Sequence, residues 1–189
     1  MTKLWLVRHG PTHAKAMVGW TDLPADLSDT AAIARLRAFL PDAPVVSSDL
    51  SRAVTTADAL TPKIRLPHAP DLREINFGDW EMRNFSEVEA DDPKTIRAYW
   101  ETPGSIAPPN GESWDMVRAR VNGAIDAYLQ AGHADLIVVA HFGVILTQLQ
   151  RALGIGAYEA FGHKIDNLSA TVLSCHPSRW TADHINHKP

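Results

Sequence analysis

The chain has 189 residues, 45% of them hydrophobic and 21% charged, enough to close one sizeable core and ordinary for a globular protein. Eighteen basic against 22 acidic residues leave a net charge of −4, which argues against nucleic acid or an anionic membrane as the partner. One cysteine, Cys175, excludes an internal disulfide, and no apolar run has the length of a signal core or a membrane span; a soluble, cytoplasmic single domain over residues 1–189 is expected.

Leu4-Trp5-Leu6-Val7 is a short apolar run closed by Arg8, His9 and Gly10. The pattern predicts a buried strand at the centre of a sheet, its polar residues at the carboxyl end, where open α/β sheets bind ligands. Arg8 offers a planar fork of donors suited to phosphate or carboxylate; His9 is by type a nucleophile, a base or a metal ligand. Alone, the triplet reads equally as a solvated strand end. Residues 11–28 form a loop of Pro, Gly and small polar residues that includes Gly19-Trp20-Thr21-Asp22-Leu23-Pro24. Ser28 or Asp29 then caps a helix through Phe39, and Val45-Val46-Ser47 is a second short strand.

Ser48-Asp49-Leu50-Ser51-Arg52 repeats the opening grammar: a strand ends, small polar residues follow, and an arginine starts a helix. Helix N-termini attract anions through free N–H groups and the dipole, so Arg52 lies where a second phosphate fork is useful. The alternative is an exposed arginine on a first turn. Ile64–Leu66 is expected as a further strand. Residues 72–81 mix three acids, Glu74, Asp79 and Glu81, with aromatics. A carboxyl among apolar groups is a candidate general acid, and the local sequence does not choose among the three.

Residues 84–101 read as acidic and partly helical, 103–111 as a loop, and 81–111 together as an insertion over the site. The longest helix is predicted over Ser113–Gln130 from the spacing of Trp114, Val117, Val121, Ile125 and Tyr128. Leu136–Ala140 is the clearest strand; it ends in His141-Phe142-Gly143, with a helix over Val144–Leu153. Ser169–Ser174 and Trp180–Ile185 are predicted to pair as strands. His184 and His187, in that tail, read as solvated polar residues rather than metal ligands.

Together, the segments Leu6–Thr12, Ser48–Ala53 with Thr56-Ala57, Leu72–Glu81, Asn110–Ser113 and Val138–Ile145 resemble the histidine phosphatase superfamily, in the family's order. The resemblance implies an α/β three-layer sandwich with a mostly parallel central sheet flanked by helices, the phosphoglycerate mutase-like fold. It implies His9 as the nucleophile that becomes phosphohistidine, with Arg8, Arg52 and His141 around the transferring phosphoryl group and Glu74 as the proton donor. Asp79 and Glu81 are left as structural or rim residues. No cofactor and no metal is implied, since side chains supply the positive charge. That charge is expected to leave His141 protonated or donating, and a backbone carbonyl on the other nitrogen of His9 to keep it neutral.

The implied activity is that of a metal-independent phosphomonoesterase acting on a small-molecule phosphate monoester. Mutase members of the family are longer between the proton-donor segment and the last helix pair than Glu81 to Ser113 allows, which favours hydrolysis over a phosphoglycerate mutase. A catalytically silent phospho-ligand binding module would need neither His9 nor Glu74. By size and by Gly19–Pro24 the chain is similar to the family's α-ribazole-5′-phosphate phosphatases of cobalamin assembly. Thr12, Trp20, Thr21 and Phe142 are the implied substrate contacts. Trp20, Phe77, Trp80, Trp100 and Phe142 are candidates for a wall against a flat heterocycle, with core or lid contacts as the plainer role. Two features depart from the family: where many relatives carry asparagine in the loop after the nucleophile this chain has Lys15 or a neighbour such as His13, and Thr30 stands where a glycine is common.

Overall fold

The computed structural model describes residues 1–189. In chain order the elements are β1 (Thr2–Arg8), α1 (Thr30–Phe39), β2 (Val45–Ser47), α2 (Ser51–Ala59), α3 (Phe85–Asp91), α4 (Pro93–Glu101), α5 (Trp114–Gln130), β3 (Asp135–Ala140), α6 (Phe142–Leu153), α7 (Ala157–Phe161), β4 (Ala170–His176) and β5 (Arg179–His187). The sheet order is β2-β3-β1-β4-β5, so the opening strand is central as expected. β1 and β2 both pair parallel with β3, whereas β4 pairs antiparallel with β1 and with β5. Only β4 therefore runs against the rest.

Alternation along β1 sends Leu4 and Leu6 to one face and Trp5 and Val7 to the other. The first face packs Val117, Val121 and Ile125 of α5, Ile145 and Leu149 of α6, and Val88 and Ile96 of α3 and α4. The second face packs Leu36 of α1 and Ala53 and Ala57 of α2. Helices on both faces make the three layers of an α/β sandwich. Each fully buried Leu, Ile or Val contributes about 1.5–3 kcal/mol, and both faces of the parallel strands are lined with them. α1 starts where Asp29 accepts a hydrogen bond from the Ala32 N–H at 2.9 Å.

Ile64–Leu66 is not a strand. A single bridge, Val45 to Arg65, joins it to β2. Pro62 and Pro67 bracket the segment and lack the N–H groups that a longer ladder needs. α6 begins two residues earlier than expected, at Phe142, which brings Gly143 into its first turn. α7 was not anticipated. No helix is long and apolar enough to cross a membrane.

Register positions the site. Arg8 pairs with Ala140, and Ser47 with Val139, so the carboxyl ends of β1, β3 and β2 stand level. The next residues, His9, His141 and Ser48, follow one another along one edge of the sheet. α2 and α6 begin at the same edge.

Candidate active site

His9 is 6% exposed. Its N–H donates to the Ala140 carbonyl at 3.1 Å, and its own carbonyl accepts from Asn167 Nδ2 at 2.8 Å. Nδ1 lies 2.6 Å from the Gly10 carbonyl. A carbonyl only accepts, so the proton sits on Nδ1 and the Nε2 lone pair is free. Burial pushes the imidazole pKa down to about 3, helped by the Arg52 and Arg8 charges and opposed by the Gly10 carbonyl. The ring is neutral at physiological pH. The Gly10 N–H donates to Thr56 Oγ1 at 2.9 Å, and the Thr56 hydroxyl donates to the Arg52 carbonyl at 2.7 Å, tying the turn to α2.

Two guanidinium groups flank this ring. Arg8 Nη1 donates to the Ile165 carbonyl at 2.6 Å, its charge lies 5.4 Å from the Phe142 ring centre, and its buried Nε has no hydrogen-bond partner. Arg52, 1% exposed, donates from Nη1 to the Thr21 carbonyl at 2.9 Å and from Nη2 to the Gly19 carbonyl at 2.6 Å. The His141 ring centre is 5.0 Å from that of His9. His141 Nε2 lies 2.6 Å from Ser48 Oγ, and its buried Nδ1 has no partner. Burial first, then His9, Arg52 and Arg8, hold the His141 pKa well below the usual histidine value. Of the two expected states, protonated or donating, burial and the neighbouring positive charges favour the neutral donor. A donating His141 remains compatible with a neutral ring.

Glu74 completes the group. Its carboxylate accepts the Gly143 N–H at 3.0 and 3.1 Å and the Ile75 N–H at 3.0 Å, at the start of α6. A Cβ on Gly143 would sit 2.5 Å from Glu74 Oε1, so glycine is what admits the carboxylate. Burial raises the Glu74 pKa; the two N–H groups, Arg52 and Arg8 oppose it. The Glu74 carbonyl accepts from Trp20 Nε1 at 2.9 Å and from Arg120 Nη2 at 3.4 Å. Arg120 is paired with Glu112 at 2.7 Å, and Glu112 also accepts the Asn76 N–H at 2.9 Å.

The competing acids do other work. Asp79 accepts from Asn110 Nδ2 at the surface, 3.1 Å from each oxygen. Glu81 binds the backbone of the Gly19–Thr21 loop. Phe77 and Trp80 are buried in the core beside Tyr99, and Trp100 packs half-buried against it, which is the plainer of the two roles expected of them. Trp20 is 37% exposed, with Arg73 stacked 4.8 Å from its ring centre, and Phe142 stays beside Arg8. The Thr21 hydroxyl donates to Glu81 at 2.7 Å and its carbonyl meets Arg52; Thr12 is half-buried on the loop after His9. His184 is exposed and His187 half-buried, as expected of polar residues in this tail, though both rings also touch Phe39, and no three metal-binding side chains converge.

Sequence reasoning missed the residues that hold this group: Ser48, Thr56, Glu112, Arg120, Gly143 and Asn167. Ser48, Thr56, Glu112 and Gly143 lie inside the segments that carried the family resemblance. Arg120 left one signal, an arginine eight residues after Glu112 near the start of an apolar-striped helix. Asn167 left none.

An α/β sandwich that gathers two guanidiniums and two neutral histidines at the carboxyl edge of its sheet is an anion-binding scaffold by class. The chain belongs to the histidine phosphatase superfamily, whose branch 1 model matches residues 4–188. It is 29% identical to the adenosylcobalamin/alpha-ribazole phosphatase of Escherichia coli K12, over 98% of this chain and 91% of that protein. It is 32% identical to the glucosyl-3-phosphoglycerate phosphatase of Mycobacterium tuberculosis, over 92% and 86% respectively. Among solved structures, the alpha-ribazole phosphatase of Shigella flexneri superposes with a TM-score of 0.85 at 25% identity, covering 99% of this chain and 97% of that one.

Proposed function

We propose that the protein is a metal-independent phosphomonoesterase that hydrolyses a small-molecule phosphate monoester through a phosphohistidine. The observation that carries this reading is the neutral His9, its Nε2 free, between Arg8 and Arg52 and beside a Glu74 whose pKa is raised. Phosphoryl transfer asks a protein mainly for positioning and charge stabilisation. The His9 Nε2 lone pair attacks phosphorus, the bond to the leaving oxygen breaks, and Glu74 gives that oxygen its proton. Arg8, Arg52 and His141 hold the equatorial oxygens. Water then attacks the phosphohistidine, Glu74 takes a proton from it, and phosphate leaves with His9 neutral again. Residues 81–111 serve as cover within a single domain.

For the substrate we favour α-ribazole 5′-phosphate or a similar monoester with a flat body, within cobalamin assembly in the cytoplasm. The support is the likeness to the alpha-ribazole phosphatases and the partly exposed ring of Trp20 at the site. The test is a panel of monoesters containing α-ribazole 5′-phosphate, glucosyl-3-phosphoglycerate and 3-phosphoglycerate, scored by kcat/KM with EDTA present. Hydrolysis with an acid-labile phosphoenzyme, led by α-ribazole phosphate, is expected. Interconversion of 2- and 3-phosphoglycerate would replace hydrolysis by a mutase, and loss of turnover on chelation would overturn metal independence.

A further inference from the structure

We propose that Glu81 is a positioning residue that seats the Gly19–Thr21 loop against both the anion clamp and the leaving-group side, and so sets which monoesters are turned over. The proposal rests on the active-site reading above. Glu81 Oε1 accepts the N–H groups of Trp20 at 2.8 Å and Phe77 at 3.1 Å. Its Oε2 accepts the N–H groups of Gly19 at 3.0 Å and Thr21 at 3.3 Å, and the Thr21 hydroxyl at 2.7 Å. Three successive backbone N–H groups converging on one point form the kind of concavity that elsewhere binds free anions. Here the anion belongs to the chain itself.

The opposite side of the same residues faces Arg52, which donates to the Gly19 and Thr21 carbonyls. One three-residue run is thus held between a carboxylate on its N–H side and the clamp guanidinium on its carbonyl side. Rotating its peptides loosens both. Trp20, in the middle of the run, reaches the Glu74 carbonyl with its indole N–H and lies on Arg73. Arg73 is fixed in turn by a two-pronged pair with Asp49 at 2.7 and 2.5 Å.

Both ends of the run are pinned to the same frame. Met17 exchanges backbone hydrogen bonds with Met82 and Arg83, each 2.9 Å. Asp22 accepts the N–H and hydroxyl of Ser51 at the start of α2, both 2.7 Å. The seat fits tightly enough that a Cβ on Gly19 would fall 1.9 Å from the Ile75 carbonyl oxygen and 2.4 Å from Glu81 Oε1. The direction of Arg52 and the plane of Trp20 are therefore set by one carboxylate. A monoester whose phosphate meets Arg52 while its flat body lies on Trp20 is matched to that spacing.

The experiment uses the full chain with Glu81→Gln and, independently, Gly19→Ala. Glutamine turns one of two accepting oxygens into a donor facing N–H groups. Two quantities are read: vanadate affinity by calorimetry, which needs no turnover, and the kcat/KM ratio of α-ribazole 5′-phosphate to 3-phosphoglycerate. Both variants are expected to melt cooperatively, to bind vanadate about tenfold more weakly, and to give the ratio found for Trp20→Ala. Adding Trp20→Ala to Glu81→Gln is expected to change the ratio no further. Lowered melting temperatures with wild-type vanadate affinity and ratio would reduce Glu81 to a structural carboxylate and overturn the inference. A wild type that hydrolyses neither ester would defeat the proposed substrate, while the vanadate comparison would still decide Glu81.

Discussion

The carboxyl edge of the sheet and the loop facing it are built by different means. His9 and His141 each follow a strand whose position is set by a continuous ladder, Arg8 level with Ala140. Gly19 to Asp22 have no ladder, and are held by side chains of Glu81, Arg52 and Ser51 from elsewhere in the chain. The edge inherits the rigidity of the core beneath it. The loop depends on a few hydrogen bonds, so one substitution can move it while the edge stays still. Chemistry on the rigid part and selectivity on the adjustable part is the division this construction allows.

The sharpest way to break that division is at the edge. His9→Ala should lower turnover by on the order of 10⁴-fold or more, with the melting transition preserved. Substantial turnover by the variant would remove His9 as the nucleophile. Glu74→Gln comes next: on alkyl phosphates it should cost on the order of 10²–10⁴-fold, and far less on p-nitrophenyl phosphate, whose leaving group hardly needs a proton. Asp79→Asn, whose carboxylate meets only Asn110 at the surface, should lack that leaving-group dependence. An equal loss on both substrates would leave Glu74 a positioning role.

The edge also predicts a pH signature that the loop lacks. As the proposed proton donor Glu74 starts protonated, so kcat/KM for alkyl phosphates should fall as pH rises through its raised pKa, and Glu74→Gln should abolish that limb. Stability should behave differently. His9 takes a proton in the unfolded chain near pH 6.5 but in the folded chain only near 3. Between those values the unfolded state binds more protons, so stability drops as pH falls through the window. His141 is shifted in the same direction. Urea midpoints recorded down that range should fall less steeply in His9→Ala than in the wild type; parallel curves would mean that His9 is not held neutral by the fold.

The same contrast governs what could be read from residues alone. Arg8-His9-Gly10, Arg52 and His141-Phe142 sit where an apolar strand stops or a helix starts, and both boundaries have local signatures. Which of Glu74, Asp79 and Glu81 enters the site had no local signature. It depends on Gly143 leaving room at the start of α6 and on Arg120 and Glu112 bracing the chain around Glu74. Phe77 and Trp80 are aromatic like Trp20, yet are buried, with Tyr99 of α4 packed against them. The two states open to His141, protonated or neutral and donating, are likewise separated only by its burial and by the charges around it.

The smallest expected effect falls on the loop itself. Trp20 presents a partly exposed ring whose position is fixed by its indole N–H on Glu74 and by the Arg73 guanidinium. A flat substrate body lying on that ring would gain area that a small sugar acid cannot. An advantage of about tenfold needs only about 1.4 kcal/mol of extra transition-state binding, within the range of one aromatic contact. Trp20→Ala should therefore shrink the preference for α-ribazole 5′-phosphate over 3-phosphoglycerate toward parity, while turnover of p-nitrophenyl phosphate changes by a few-fold at most. An unchanged preference would take the flat-body contact away from Trp20 and leave the phosphoryl chemistry proposed at the sheet edge untouched.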